Sequence, residues 1–222
     1  MTATTDNQRL PIVILISGNG SNLQAIIDAI DAGTLHAEIR AVISNRSEAY
    51  GLERARRHDI ATVVVDHRDY PDREQFDLAL QQSIDRFAPS LLVLAGFMRI
   101  LTPAFVEHYL GRMINIHPSL LPRYTGLNTH QRAIDGGDVQ HGASVHFVTN
   151  ELDGGPVISQ ARVSVIPGDD AGTLARRVLA QEHVLYPTTL EWYCQGRLQQ
   201  HDSAVYLDGK RLDKPIDCTQ AT

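Results

Sequence analysis

The sequence predicts an α/β protein built on a doubly wound, mostly parallel sheet, with antiparallel strands toward the C-terminus. Short apolar, β-branched runs alternate with stretches of helical periodicity through the N-terminal half. Those runs are apolar on both faces, as strands buried between two helical layers must be. Each is followed by enough chain for a right-handed crossover. With 43% hydrophobic and 21% charged residues the chain can bury a core, which excludes a disordered polypeptide.

Residues 11–17 (PIVILIS) read as the first strand, ending at Gly18. Residues 22–30 place Leu23, Ile26, Ile27 and Ile30 on one helical face, and Gly33 closes that helix. Further strands are expected at 39–44, 62–65 and 91–95. A helix over 72–87 presents Phe76, Leu80, Ile84 and Phe87. After Pro103 a short helix (104–109) leads to a fifth strand, 112–117. Residues 118–130 carry two prolines and a glycine and read as a long loop of the kind that bears function. Strands at 142–149 and 156–166 flank a turn around ELDGGP. A helix over 173–195 follows, capped by Asp170 or Thr173. Asp-Gly inside AVYLDGKRL signals a hairpin. The expected organisation is one domain over 11–212, with a mobile N-terminal extension (1–10) and a C-terminal tail (213–222).

Composition excludes several chemistries. The only lysines, Lys210 and Lys214, lie near the C-terminus, so a phosphate-loop lysine or a Schiff-base lysine in the body of the fold is ruled out. A net charge of −6 leaves no broad basic face for nucleic acid. Cys194 and Cys218 lack CxxC spacing, the N-terminus is polar, and the apolar runs are too short to span a bilayer. A cytoplasmic protein without nucleic-acid or membrane partners is expected. No metal site is expected either: there is no HExxH, and His141 and His146 would fall on opposite faces of a strand.

Two motifs carry chemistry. SGNGSN (17–22) joins a buried strand to a helix N-terminus, where free N–H groups favour an anion. It lacks the lysine of a Walker loop and the third glycine of a dinucleotide fingerprint. What survives is a phosphomonoester cradle of Gly20, Ser21 and Asn22, or a tight turn with no ligand. In MINIHPSLLP, Asn115 and His117 are two apart on a strand and project to one face at its carboxyl end. An amide donor beside an imidazole suits acyl chemistry, in which one group holds a developing oxyanion and the other exchanges protons. Asp153 is the candidate to orient the histidine, because a carboxylate favours the protonated ring. Taken alone, the pair could equally be packed polar side chains. No GxSxG or other nucleophile motif is present, so direct transfer between two bound substrates is implied.

Together SGNGSNLQAIIDA, SNR, GLERAR, LAGFMRIL, NIHPSLLP, GASVHFVTNELDGGPVI and QEHVLYP resemble the phosphoribosylglycinamide formyltransferase family, within the wider folate formyltransferases, from about residue 11 to 212. The resemblance implies a Rossmann-like formyltransferase fold. It also implies transfer of the formyl group of 10-formyltetrahydrofolate, as co-substrate, to the amine of glycinamide ribonucleotide in purine biosynthesis. Asn115 would hold the formyl oxygen, His117 would act as general acid, and Asp153 would keep that histidine protonated. Gly20, Ser21 and Asn22 would take the phosphate, and Glu182 the ribose hydroxyls. Folate would lie against Met98, Arg99, Ile100 and Leu101, Asn115, and the loop Thr149, Asn150, Glu151, Leu152 and Asp153, with Arg73 near its glutamate end. Leu94, Phe105 and Val148 would help line the slot. The chain would act as a monomer or homodimer. Thr125 and Asn128 depart from the family's usual proline and histidine, which puts loop stiffness and local contacts in question. The alternative activity is 10-formyltetrahydrofolate hydrolysis, with water as acceptor.

Overall fold

A computed structural model describes residues 9–219. In chain order its elements are β1 (Leu10–Ile16), α1 (Ser21–Asp31), β2 (Ala37–Ser44), α2 (Tyr50–Arg57), β3 (Thr62–Val64), α3 (Arg73–Asp85), β4 (Leu91–Leu94), α4 (Pro103–His108), β5 (Met113–His117), α5 (Thr129–Asp135), β6 (Gln140–Phe147), β7 (Val157–Ser164), α6 (Ala171–Cys194), β8 (Leu198–His201), β9 (Ala204–Leu207), β10 (Lys210–Arg211) and β11 (Ile216–Asp217). Among the described residues the main sheet has eight strands in the order β11-β7-β6-β5-β4-β1-β2-β3. The first five strands are parallel, and β6 runs antiparallel to both β5 and β7. The doubly wound, mostly parallel sheet is therefore present, with β8, β9 and β10 forming a separate antiparallel sheet.

Alternation along the strands divides the core in two. One face gathers Ile12, Ile14, Val93, Ile114, Ile116, Val145 and Phe147 under α1, α2 and α6. The other gathers Val13, Leu15, Leu92, Leu94 and Met113 under α3 and α4. Strand order reverses between β1 and β4, and the chain leaves both strands there through glycine-containing turns. Such a crevice is where ligands enter sheets of this type.

Three boundaries differ from the expectation. Leu10 already pairs with Ala37, so the sheet begins inside the expected extension, of which residues 1–8 lie outside the described residues. Residues 129–135, read as the end of a loop and its sequel, form α5. Most consequentially, the expected tail contributes β11, which pairs in parallel with Ser159 and Gln160. Cys218 N–H donates to the Gln160 carbonyl at 2.8 Å, and Asp217 pairs with Arg162. A two-residue strand beside Pro215 has no periodicity to read, so only its tertiary partner reveals it.

Candidate active site

The site grows out of β5. Ile114 and Ile116 point into the α6-side core, which turns Asn115 and His117 to the opposite face. Across the antiparallel pair, Asn115 faces His146 and His117 faces Ser144. Helices α3 and α4 cover this face at β1, β4 and Met113. Beyond Met113 the polar residues are roofed by the segment after β5 and the turn after β6. His117 is 6% exposed and His146 2%, so contacts here form largely out of water.

Hydrogen bonds fix the orientation of each group. His146 Nδ1 lies 2.9 Å from the Phe147 carbonyl, an acceptor, so Nδ1 carries the hydrogen and Nε2 offers its lone pair. Asn115 Nδ2 donates to that lone pair at 3.1 Å. Burial lowers the His146 pKa to about 4, the nearby Asp153 opposing this only in part, so the ring is neutral at physiological pH. His117 donates from Nε2 to the Tyr124 carbonyl at 2.9 Å and turns Nδ1 toward Asp153 Oδ2 at 3.5 Å. Both ring nitrogens thus face oxygen. Asp153 Oδ1 is 3.9 Å from His146 Nε2, so one carboxylate faces both rings.

Local sequence explains how Asp153 reaches this position. Its backbone is left-handed (φ 51°), a conformation that Asp tolerates better than most residues. The following glycines allow the turn to close: a Cβ on Gly155 would sit 1.8 Å from the Phe147 carbonyl oxygen. Asp153 Oδ2 also accepts the Gly126 N–H at 2.8 Å, tying the turn to the loop after β5. That loop is anchored from below. Ser144 Oγ donates to the Ser119 carbonyl at 2.7 Å and accepts from Leu121 N–H at 3.0 Å, while Gln160 reaches the Leu121 carbonyl at 2.9 Å. Asn128 begins α5 in the left-handed region (φ 57°), and the Thr125 carbonyl accepts from Arg132 at 2.6 Å. The departures at these positions therefore sit on the outer rim of the loop.

At the SGNGSN turn, Gly20 caps α1 with φ 73°, and its Cβ would meet Gly51 Cα of α2 at 2.7 Å. Glycine is required there both by conformation and by close approach. The N–H groups of Ser21, Asn22 and Leu23 meet no acceptor among the described residues, and the first turn of α1 holds no acidic residue. Asn22 Nδ2 donates to Glu182 Oε2 at 2.7 Å, while Asn22 Oδ1 is buried without a partner among the described residues. Glu182 is 7% exposed, and burial raises its pKa. One contributor went unread in the sequence. Arg54 of α2 donates to the Asn19 carbonyl at 2.9 Å and to its side chain at 3.0 Å, which sets a guanidinium beside a turn that has no lysine. A cavity of about 330 Å³ opens here, lined by Ser21, Gln24, Ala25, Asp28, Arg54 and His183.

Residues 98–101 leave β4 next to β5, whose Asn115 pairs with Leu94. Met98 and Ile100 are exposed, Leu101 packs partly into the core, and the Arg99 guanidinium stands 5.8 Å from the Phe76 ring centre. Arg73 is the exposed first residue of α3. Thr149 is half-buried, whereas Asn150, Glu151 and Leu152 are exposed on the turn that carries Asp153. The structure thus brings Asn115, His117 and Asp153 together, and brings Asn22 against Glu182. Among the described residues there is no group of three or more His, Cys, Asp or Glu disposed to hold a metal ion, and no helix long and apolar enough to cross a membrane.

Residues 10–190 match the formyl transferase family. The chain belongs to that family. It is 56% identical to phosphoribosylglycinamide formyltransferase of Escherichia coli (strain K12) over 201 residues, 90% of this chain and 95% of the relative. The solved phosphoribosylglycinamide formyltransferase of Coxiella burnetii superposes with a TM-score of 0.90 at 59% identity, covering 94% of this chain and 98% of that one. A formyltetrahydrofolate deformylase from Pseudomonas syringae pv. tomato superposes with a TM-score of 0.83 at 27% identity, and covers 90% of this chain but 66% of its own. Within this formyl transferase, His146 joins Arg54 among the residues whose place at the site sequence reasoning missed: His146 was weighed only as a metal ligand. Its position opposite Asn115 depends on the β5–β6 register, which no local pattern specifies.

Proposed function

We propose that this protein transfers the formyl group of 10-formyltetrahydrofolate to the amine of N1-(5-phospho-D-ribosyl)glycinamide. The products are N-formylglycinamide ribonucleotide and tetrahydrofolate, a step of de novo purine biosynthesis. The observation that carries this reading is the pairing of two features on one sheet edge: an amide, imidazole and carboxylate set without a nucleophile, and a helix N-terminus with free N–H groups beside Arg54. The first suits acyl transfer and the second a phosphate.

In this scheme the ribonucleotide amine attacks the formyl carbon, and the new C–N bond leaves negative charge on the formyl oxygen. Asn115 donates its amide hydrogen to that oxygen. His146, neutral and accepting from the same amide, fixes which end of the Asn115 side chain carries hydrogen. As the intermediate collapses, the bond from the formyl carbon to the folate nitrogen breaks, His117 supplies a proton to that departing nitrogen, and the proton shed by the attacking nitrogen returns to the His117 ring. Asp153 holds the His117 ring and its positive charge, with Gly126 N–H keeping the carboxylate in place. Gly20, Ser21 and Asn22 take the phosphate, and Glu182 accepts from the ribose hydroxyls. Residues 98–101 and 149–153 present backbone groups to the folate ring, and Arg73 suits its carboxylate tail.

The test is consumption of formyl folate followed by absorbance, with and without the ribonucleotide. Turnover that requires the amine supports the transferase. Equal rates in its absence would assign the hydrolase activity instead.

A further inference from the structure

Among the described residues, 98–101 make no backbone–backbone hydrogen bond. Met98 and Ile100 are 60% and 59% exposed, so their own side chains do little to fix the segment, which is held from the side only by Leu101 against the core and Arg99 beside Phe76. A free backbone edge is useful for reading a flat polar ring only if something else holds its shape. The structure supplies a holder at each end. Ser17 Oγ accepts the Met98 N–H at 2.7 Å, and Asp77 Oδ2 accepts the Thr102 N–H at 2.5 Å. Both acceptors are buried, at 7% and 2% exposure. The Ser17 hydroxyl hydrogen is committed to Asn45 Oδ1 at 2.6 Å, which turns its lone pair to Met98. Asp77 lies one turn after Arg73 on α3, and Thr102 in turn caps α4.

We infer that Ser17 and Asp77 are positioning residues for the formyl folate, clamping residues 98–101 at both ends so that their free backbone edge keeps one shape for the ring. This rests on the folate reading proposed above. Ser17 is also the first residue of the SGNGSN turn, so a single side chain lies between the two substrate sites. Its hydroxyl nevertheless points to the folate segment and away from the free N–H groups of α1.

The experiment compares Ser17→Ala and Ser17→Thr with the wild type. It reads KM for each substrate and, separately, the Kd for tetrahydrofolate by fluorescence titration. Losing the acceptor should raise both folate constants about tenfold, leave KM for the ribonucleotide within about twofold, and be largely reversed by the threonine hydroxyl. Asp77→Ala should repeat the folate defect, and Asp77→Asn, which keeps an acceptor, should be milder. Folate constants unchanged in a folded Ser17→Ala protein, or both substrates weakened equally, would overturn the clamp. Amide exchange of the unsubstituted protein adds a check that no folding defect can obscure. Met98 and Thr102 should exchange more slowly than residues 99–101, and an unprotected Met98 amide would overturn the proposal. Tetrahydrofolate binding separates the two readings: a wild type that binds folate without transferring formyl would sink the function and leave the clamp standing.

Discussion

Asn115 donates its side-chain amide to His146 Nε2 at 3.1 Å, across a strand pair in which the two residues face each other directly. Because Nδ1 of that ring is bound to the Phe147 carbonyl, His146 has only an acceptor to offer, and the Asn115 amide has only one way to point. Replacing His146 with leucine removes the acceptor and sets an apolar side chain against the Asn115 amide. The expected result is a kcat about 10- to 100-fold lower, with KM for the ribonucleotide little changed. Asn115→Ala, which removes the donor itself, should cost about 10²- to 10³-fold. Steady-state kinetics of the two variants checks the order.

The same histidine makes a prediction about pH and stability. Burial lowers its pKa to about 4 in the folded protein, and burial with the neighbouring His130 brings His141 to about 4 as well. In the unfolded chain a histidine titrates near 6.5. Between these values the unfolded state binds more protons, so stability rises with pH: the contribution is complete above about 6.5 and is lost as pH falls toward 4. For His146 this amounts to about 2 kcal/mol by pH 5. Urea unfolding at pH 7.5 and pH 5 should show the loss, and His146→Leu should flatten it.

Glu182 separates stability from function. Burial raises its pKa above the usual carboxylate value, so the folded state is penalised when the group ionises, and stability falls as pH rises through the folded pKa. Glu182→Gln should raise the melting temperature, by more at pH 8 than at pH 5. It should also raise KM for the ribonucleotide about tenfold by weakening the acceptor beside Asn22. Thermal melts at the two pH values, with steady-state kinetics, test both directions.

Asp153→Asn keeps the size of the side chain and an oxygen for Gly126 N–H, but sets an uncharged amide against His117 Nδ1. The expected outcome is a kcat lower by about 10²-fold or more, with the fold intact by circular dichroism. Near-normal turnover would remove Asp153 from the mechanism.

Legibility followed the physics of each element. β1, β5 and α1 were readable because their apolar periodicity is strong and local, and the Asn115–His117 pair because a strand puts residues two apart on one face. Asp153 was reachable from chemistry plus the ELDGGP turn. His146 was not, since its meaning comes from register with a strand more than twenty residues earlier. Arg54 was hidden in a basic helix whose docking on the SGNGSN turn depends on a glycine–glycine contact between Gly20 and Gly51. β11 pairs only two residues and leaves no pattern. What the sequence lacked in each case was a partner, supplied by the tertiary fold.

On the proposed mechanism the formyl group passes directly to a bound amine at the Asn115–His117–Asp153 site. The most direct measurement is a single turnover with excess enzyme, formyl-labelled 10-formyltetrahydrofolate and the ribonucleotide, quenched and resolved by product. Label should enter N-formylglycinamide ribonucleotide at the rate tetrahydrofolate appears, with neither labelled formate nor labelled protein, and a His117→Ala enzyme should bind ribonucleotide but transfer orders of magnitude more slowly. Label released as formate, or held covalently on the protein, would contradict it.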